Sequence, residues 1–309
     1  MFDVAVSELT SPRWDLQDEV ERAAARGFDA ISLWRPKVSD VGAAAAATLV
    51  AMAGLRVSSL QWAGGFTGAD GRSFAESIDD AVEAIATAAT LAAPVLILHS
   101  GCRGGHTRSH AARLLVQALE TLAPIAGRAG VTLALKPTHP AGAVGCSFLA
   151  DLAEAVDLVD RFPAPAVRLA LDLWHFGDTP ELLPLVPRLA EAAAVVHVAD
   201  RCGPPSTAAD RMPAGHGILP LERIVGDLIA LGYRGAVEFD PVGEAVEILG
   251  YDGVWQETRL VADTWSDRLA LVRSGPVGAG RRPLAGHFRA AAATGSRRSH
   301  ASSHTGSAG

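Results

Sequence analysis

The sequence is poor in cysteine and lacks a recognisable secretion signal. Its three cysteines, Cys102, Cys146 and Cys202, are an odd number without the spacing of a metal finger. This count argues against a disulfide framework and fits a reducing compartment. The first residues, MFDVAVSELTSPRWDL, carry Asp3 and Glu8 and show no basic region followed by an apolar core. We therefore expect a cytoplasmic protein.

No apolar run is long enough to cross a membrane unbroken. The best candidate, residues 81–98, is interrupted by Glu83, Thr87, Thr90 and Pro94, which divide it into a helix and a strand. We therefore expect no membrane partner.

Positive charge is scarce in most of the chain. Residues 275–309 hold five arginines and no acidic residue, so the first 274 residues carry 22 basic and 34 acidic side chains, a formal net charge of −12. Nucleic-acid-binding proteins normally show a basic footprint, and the one present here lies in a Gly-, Ala- and Ser-rich stretch that cannot bury a core. We expect residues 1–274 to form one domain, residues 275–309 to be a disordered tail, and nucleic acid not to be a partner.

Short apolar runs alternate with longer amphipathic stretches about eight times. The predicted strands are residues 2–7, 29–34, 56–61, 94–99, 131–136, 167–172, 194–199 and 235–240. The predicted helices are residues 15–26, 40–53, 74–92, 107–129, 148–161, 180–192, 220–231 and 255–273. Eight alternating units in about 250 residues match a closed (β/α)₈ TIM barrel of parallel strands. A doubly wound open sheet is the alternative, but the first turn, SELTSPRW, lacks the glycine-rich cradle typical of that fold.

Polar residues gather where the predicted strands end. His99, Lys136, Asp172 and Asp240 end strands 4, 5, 6 and 8, and His197 lies near the end of strand 7. In a TIM barrel the chemistry takes place at this end of the strands. The two aspartates and His197 come from three successive strands, and such an oxygen–nitrogen–oxygen set suits Mn²⁺, Mg²⁺, Zn²⁺ or Co²⁺. For each residue alone, the alternative is a strand-end residue that caps loop amides or a satisfied core histidine.

Further candidates for substrate contact lie at the other strand ends and in the loops that follow. They are Trp34 and Arg35 after strand 2, His99 after strand 4, His139 after strand 5, His175 after strand 6, and Arg211 and His216 after strand 7. The aromatic and guanidinium pair after strand 2 suits a polyol or a carboxylate. The loop after strand 7 is a common place for an anion in this fold. Packing in a loop or in the core is the alternative for each residue.

Several segments resemble a known family. LDLWH (171–175), VVHVAD (195–200) and GHGILPLERIVGDLIALGYRGAVEFD (215–240) resemble the last three units of the xylose-isomerase-like TIM barrels, the superfamily of sugar phosphate isomerases and epimerases and of endonuclease IV. GFDAISLWRPKVSDVG and AGLRVSSLQWAGGF are similar to the second and third units of one bacterial subgroup. The resemblance covers about residues 1–270.

The resemblance implies a single divalent metal held by a glutamate on strand 5, an aspartate on strand 6, a histidine on strand 7 and a glutamate on strand 8. By position, Asp172 and His197 match, Asp240 stands for the last glutamate, and Lys136 stands for the first. The family form L-E-P-x-H-P reads LKPTHP here, which inverts the charge at a metal ligand. Either the other three ligands hold the metal more weakly beside a neutral lysine, or the ammonium takes the place of the metal. In a third reading, Lys136 forms a structural salt bridge in a barrel without activity.

Related enzymes abstract a proton beside a metal-polarised carbonyl, with two glutamates as acid and base. We therefore expect an isomerase- or epimerase-like enzyme for a small polyhydroxylated or keto substrate, with Lys136, Asp240 and His175 as candidates for proton transfer. One alternative is a lyase or dehydratase that uses Lys136 as a base or Schiff-base residue. Another is an inactive barrel that binds a small ligand. A small molecule is the expected partner, and a homodimer is left open.

Overall fold

A closed barrel of parallel strands forms the centre of the fold. The structure, a computed structural model, describes residues 2–142 and 146–274. The strands in these residues are β1 (Val4–Ser7), β2 (Ala30–Trp34), β3 (Arg56–Gly64), β4 (Val95–His99), β5 (Thr132–Leu135), β6 (Val167–Asp172), β7 (Ala193–Val198) and β8 (Ala236–Phe239). Neighbouring strands pair in chain order, and β8 pairs with β1 to close the ring. The predicted TIM barrel is confirmed.

Helices surround the barrel and connect its strands. Among the described residues the α-helices are α1 (Leu16–Ala25), α2 (Arg35–Val41), α3 (Ala43–Met52), α4 (Phe74–Thr90), α5 (Arg108–Ala129), α6 (Leu152–Val159), α7 (Leu173–Phe176), α8 (Leu182–Ala192), α9 (Leu221–Ala230), α10 (Glu244–Leu249) and α11 (Tyr251–Ser274). The single helix predicted for residues 40–53 is wrong, because Gly42, at φ 85°, separates α2 from α3. The helix predicted from residue 148 begins only at Leu152, where the Asp151 side chain caps the first turn.

Two apolar layers lie on the two faces of the strands. The larger core fills the space between the strands and the helices. A smaller cluster inside the barrel consists of Val95, Ile97, Ala134, Ala170 and Val195. Because strands of a barrel are covered on both faces, they read as nearly continuous apolar runs.

Strand alternation places the polar strand ends directly above this inner cluster. Side chains two residues apart on a strand point to the same face. The residues two positions after the last cluster member on β4, β5, β6 and β7 are His99, Lys136, Asp172 and His197. The interior of the barrel therefore changes from apolar to charged at its C-terminal end.

The described residues from Phe2 to Arg273 belong to one compact unit. The tail predicted for residues 275–309 lies outside the described residues. Within the described part of the chain, no helix combines the length and apolar character needed to cross a bilayer. The three cysteines are unpaired.

Candidate active site

Lys136 lies at the centre of the site, directly after β5. Its backbone N–H donates to Leu98 O at 2.9 Å, and its side chain is largely buried. Nζ lies 2.8 Å from Asp172 Oδ2 and donates to His197 Nδ1 at 2.7 Å. An ammonium has three N–H donors, and these two contacts leave the third for the cavity that Lys136 lines.

Arg211 adds a second cation from the loop between β7 and β8. Nη1 lies 3.1 Å from Asp172 Oδ2, and Nη2 lies 2.6 and 2.7 Å from the two carboxylate oxygens of Asp240. The backbone N–H of Arg211 donates to Val242 O at 2.9 Å, and its guanidinium lies over the ring of Trp174, 5.4 Å from the centroid. Arg211 thus bridges the two aspartates from a fixed position.

The two cations determine the ionisation of this buried cluster. Burial opposes the charge of Asp172, but Arg211 and then Lys136 outweigh it and hold the pKa of this carboxyl well below its usual value. Burial also opposes the charge of Arg211, yet Asp172 and Asp240 outweigh it and raise the pKa of the guanidinium. Lys136 and Arg211 therefore lie beside Asp172 and Asp240 in a cluster that is largely shielded from water.

Glu238 is a buried carboxylate that sequence reasoning missed. It is fully buried in β8, pairs in register with His197, and has Oε2 3.2 Å from His197 Nε2. Burial opposes its ionisation, but the contact with His197 outweighs burial and lowers the pKa of Glu238. Because Lys136 donates to Nδ1, the proton of a neutral His197 ring lies on Nε2 and faces Glu238. Strand alternation could have indicated Glu238 from the sequence, since Glu238 and Asp240 lie two residues apart and share one face.

Two neutral imidazoles flank the cations. Burial, followed by the charge of Lys136, lowers the pKa of His99 to about 3. Burial lowers the pKa of His175 to about 3 against the opposing charge of Asp172. In both rings Nδ1 is shielded from solvent and has no hydrogen-bond partner among the described residues. The His99 ring borders the cavity and meets Trp62 edge-on at 5.6 Å, whereas His175 is 4% exposed and lies outside the lining.

A cavity of about 600 Å³ opens at the C-terminal end of the barrel. Its lining includes Lys136, Arg211, Asp240, His99 and the half-exposed Trp62. The structure thus brings three of the predicted strand-end residues to one cavity, with Asp172 and His197 buried behind Lys136. The volume is typical of small-molecule sites, which measure about 300–1,000 Å³.

The arginines at the rim of the cavity are already paired with carboxylates. Arg35 Nη2 lies 2.9 Å from Asp80 Oδ1, and Arg72 lies 3.0 Å from Asp80 Oδ2 and 2.6 Å from Asp70 Oδ2. All four residues line the cavity. Arg35, a predicted anion contact, therefore has its charge balanced within the chain.

The other predicted contacts lie elsewhere. Trp34 borders a neighbouring cavity. His139 Nδ1 accepts the backbone N–H of Ala141 at 3.2 Å, and His216 Nε2 lies 2.9 Å from Glu257 Oε2. None of these three predicted residues is among the described residues that line the cavity at the C-terminal end of the barrel.

Asp172, His197 and Asp240 have the spacing of a candidate divalent metal site, because one donor atom from each lies within 4.8 Å of the others. The cations around them do not fit such an ion. Lys136 Nζ contacts Asp172 Oδ2 and His197 Nδ1, atoms that would ligate the metal, and Arg211 engages both oxygens of Asp240. A metal would have to displace both cations from these atoms.

Comparison with known proteins agrees with the fold. The profile of the family described as xylose isomerase-like TIM barrel matches residues 20–258. Protein SMc04130 from Sinorhizobium meliloti 1021 is 27% identical with a TM-score of 0.71, over 87% of this chain and 97% of that chain. The IolI protein with a bound zinc atom is 18% identical with a TM-score of 0.72, over 89% and 100%. D-psicose 3-epimerase with D-tagatose from Clostridium cellulolyticum H10 is 14% identical with a TM-score of 0.70, over 87% and 99%.

No curated protein matches the chain. The family profile nevertheless spans most of the sequence, and the strand order is that of a closed eight-stranded barrel. Sugar epimerases are among the solved structures with this fold. The chain therefore belongs to the xylose isomerase-like TIM barrel family.

Proposed function

We propose that the protein is an isomerase- or epimerase-like enzyme that works without a divalent metal on a small, uncharged polyhydroxylated or keto compound. The observation that carries the proposal is the position of the Lys136 ammonium, 2.8 Å from Asp172 and 2.7 Å from His197 at the floor of the cavity. Membership of the family supports chemistry beside a carbonyl, and the cavity supports a small-molecule substrate.

Lys136 and Arg211 together supply the two positive charges that a divalent ion would bring. With Asp172 and Asp240 they form a set of four groups whose formal charges cancel, and the Glu238 carboxylate lies behind His197. A metal ion added to this set would meet two cations at close range, and these cations already occupy the carboxylate oxygens and the His197 nitrogen that would bind it. At an effective dielectric of about 20, two unit charges about 4 Å apart repel by about 4 kcal/mol. The intact set therefore opposes metal binding.

The third N–H of Lys136 gives the site an electrophile. A substrate carbonyl that accepts this N–H gains negative charge on oxygen when a neighbouring C–H bond loses its proton. The ammonium stabilises that charge, and Asp172 and His197 already hold the ammonium in place. Such a preorganised donor acts without reorienting during the reaction.

The charge balance of the cavity favours an uncharged substrate. The described cations of the lining, Arg35, Arg72, Lys136 and Arg211, each contact at least one carboxylate. A phosphate or carboxylate on the substrate would compete with these carboxylates for the same N–H groups. Hydroxyl groups donate and accept hydrogen bonds without adding charge, and Trp62 offers an apolar face for C–H groups.

Solvent deuterium exchange tests this proposal. The protein is purified in EDTA, its metal content is measured by mass spectrometry, and proton NMR in D₂O follows D-fructose, D-tagatose and D-fructose 6-phosphate. We expect loss of the C–H signal beside the carbonyl of a neutral ketose, with substoichiometric metal in the protein. The phosphorylated ketose should exchange more slowly, because its charge is unmatched in the cavity.

Other outcomes distinguish the alternatives. Exchange that stops in EDTA and returns with Mn²⁺ would contradict the metal-free site. Trapping of a substrate on Lys136 by borohydride would favour a Schiff-base lyase. Binding without exchange for any ketose would favour a barrel that only holds a ligand.

A further inference from the structure

We infer that His99 is the catalytic residue that takes the proton from the substrate, an assignment that rests on the proposed function. His99 ends β4, and Lys136 directly follows β5. Leu98 and Leu135 are register partners, so His99 and Lys136 are the next pair along these adjacent strands, which lie about 4.8 Å apart. Both side chains line the cavity. A substrate that contacts the ammonium therefore also lies beside the imidazole.

His99 has a ring nitrogen that is free to accept a proton from a ligand, whereas the carboxylates of the lining are occupied by arginines. Both oxygens of Asp240 accept from Arg211, and Asp80 and Asp70 are paired with the rim arginines. The His99 ring, by contrast, has no hydrogen-bond partner in the part of the chain that the structure describes. Its Nδ1 is shielded from solvent. This leaves Nε2 as the ring nitrogen that a ligand in the cavity can reach.

The surroundings of His99 hold the ring in place and keep it unprotonated. Trp62 meets the His99 ring edge-on, with an angle of 85° between the ring planes. The backbone oxygen of His99 accepts the N–H of Gly65 at 3.0 Å. Burial and the neighbouring charge of Lys136 lower its pKa to about 3. The lone pair is therefore free at physiological pH.

The proposed step balances without a cofactor. The substrate C–H bond breaks, and its proton passes to Nε2 of His99. The electron pair forms the carbon–carbon double bond of an enediolate, whose oxygen takes the negative charge beside Lys136. Return of the proton to the neighbouring carbon, with passage of a hydroxyl proton from one oxygen to the other, completes an aldose–ketose isomerisation.

The first test compares deuterium exchange in wild type, His99→Asn and His99→Gln. We expect both variants to be slower by about 10²–10⁴-fold with little change in KM, since a positioned base contributes a factor of this order. His110→Asn is the control, because this imidazole contacts Arg113 on α5 and lies outside the described lining. Wild-type exchange rates in both His99 variants would overturn the inference.

A second test needs neither turnover nor a variant. Diethyl pyrocarbonate acylates accessible, unprotonated imidazole, and an ordinary imidazole is mostly protonated at pH 5. We expect mass spectrometry to show modification of wild-type His99 at pH 5, with protection by D-fructose, whereas the buried His175 stays unmodified. Unreactive His99 would overturn the inference even in an active enzyme. If His99 is modified but the protein exchanges no ketose, the proposed function and the catalytic role of His99 are both contradicted. The modification would then show only that His99 is accessible and unprotonated at pH 5.

Discussion

Charges of opposite sign alternate along the floor of the cavity and the buried layer directly behind it. Lys136 lies 2.8 Å from Asp172, Asp172 lies 3.1 Å from Arg211, and Arg211 lies 2.6 Å from Asp240. Buried ions lose their hydration, and contacts of this kind offset that loss. Removal of one partner from such a set typically costs about 3–5 kcal/mol, because a neighbouring charge is left unpaired. The set is thus stable only as a whole.

Substitution of Lys136 tests whether the lysine excludes a metal. In Lys136→Glu a carboxylate joins Asp172, His197 and Asp240, so we expect Mn²⁺ to bind at least about tenfold more tightly than to wild type, because a repulsion of several kcal/mol is removed. Calorimetry measures the affinity, and bound metal should raise the melting temperature. Lys136→Met removes the charge without adding a ligand and is the matched control. Tight, stoichiometric Mn²⁺ in wild type, with no gain from the glutamate, would contradict the prediction.

The site was predictable where strand geometry determines it. Asp172, His197 and Asp240 were predicted to converge, and their donor atoms lie within 4.8 Å of one another. The bridge made by Arg211 could not be predicted, because its loop is positioned by an antiparallel pairing with Val242 that has no periodic signal. Glu238 was missed because only strand-end residues were considered.

At the scale of elements, β3 and β4 approach each other closely at Gly64. Gly64 has φ 128°, pairs with His99, and a Cβ on it would lie 2.0 Å from His99 O. The end of β4, and with it the His99 ring, therefore depends on the absence of a side chain at this position.

We expect Gly64→Ala to lower the free energy of unfolding by about 3 kcal/mol or more, since it combines backbone strain with a clash against backbone. Gly42→Ala is the control, because Gly42 also has positive φ, at 85°, but an added Cβ there meets nothing within 4 Å. Urea unfolding measures both. Equal losses in the two variants would show that strain alone, and not the close approach, accounts for the effect.

The strands were predicted to within a few residues because most of them are short, largely apolar runs, although β3 continues to Gly64, three residues beyond its predicted end. Short helices gave no such signal. The four-residue α7 starts directly after β6, where the Asp172 side chain accepts the N–H of Trp174 at 3.0 Å. One residue thus ends a strand, caps a helix and carries a charge of the site. Four to seven residues are too few to display helical periodicity, so α2, α7 and α10 were not predicted.

At the scale of the whole molecule, buried neutral histidines make stability depend on pH. The pKa of His175 is about 3 in the folded chain and about 6.5 in an unfolded one. Between these values the unfolded chain binds a proton that the folded chain does not, so stability falls as pH falls from 6.5 towards 3. Between pH 6.5 and 5 we expect wild type to lose about 2 kcal/mol more than His175→Asn, measured by urea unfolding.

The comparison with the variant is needed because other groups act in the opposite direction. Burial raises the pKa of Glu8 and of Glu19, so these carboxyls bind protons more tightly in the folded chain and favour folding at low pH. The net pH profile of wild type combines both effects, whereas the difference between the two proteins isolates His175. Equal losses in wild type and variant would contradict a neutral His175.

The contacts of Lys136 and Arg211 also affect how the site responds to a changing supply of metal ions. A dissociable metal ion can be lost during metal starvation or replaced by an ion that binds more tightly, and among the divalent first-row metals the affinity is highest for copper. Cations that belong to the chain itself can be neither withdrawn nor exchanged. The proposed metal-free site would therefore keep its composition at any metal supply.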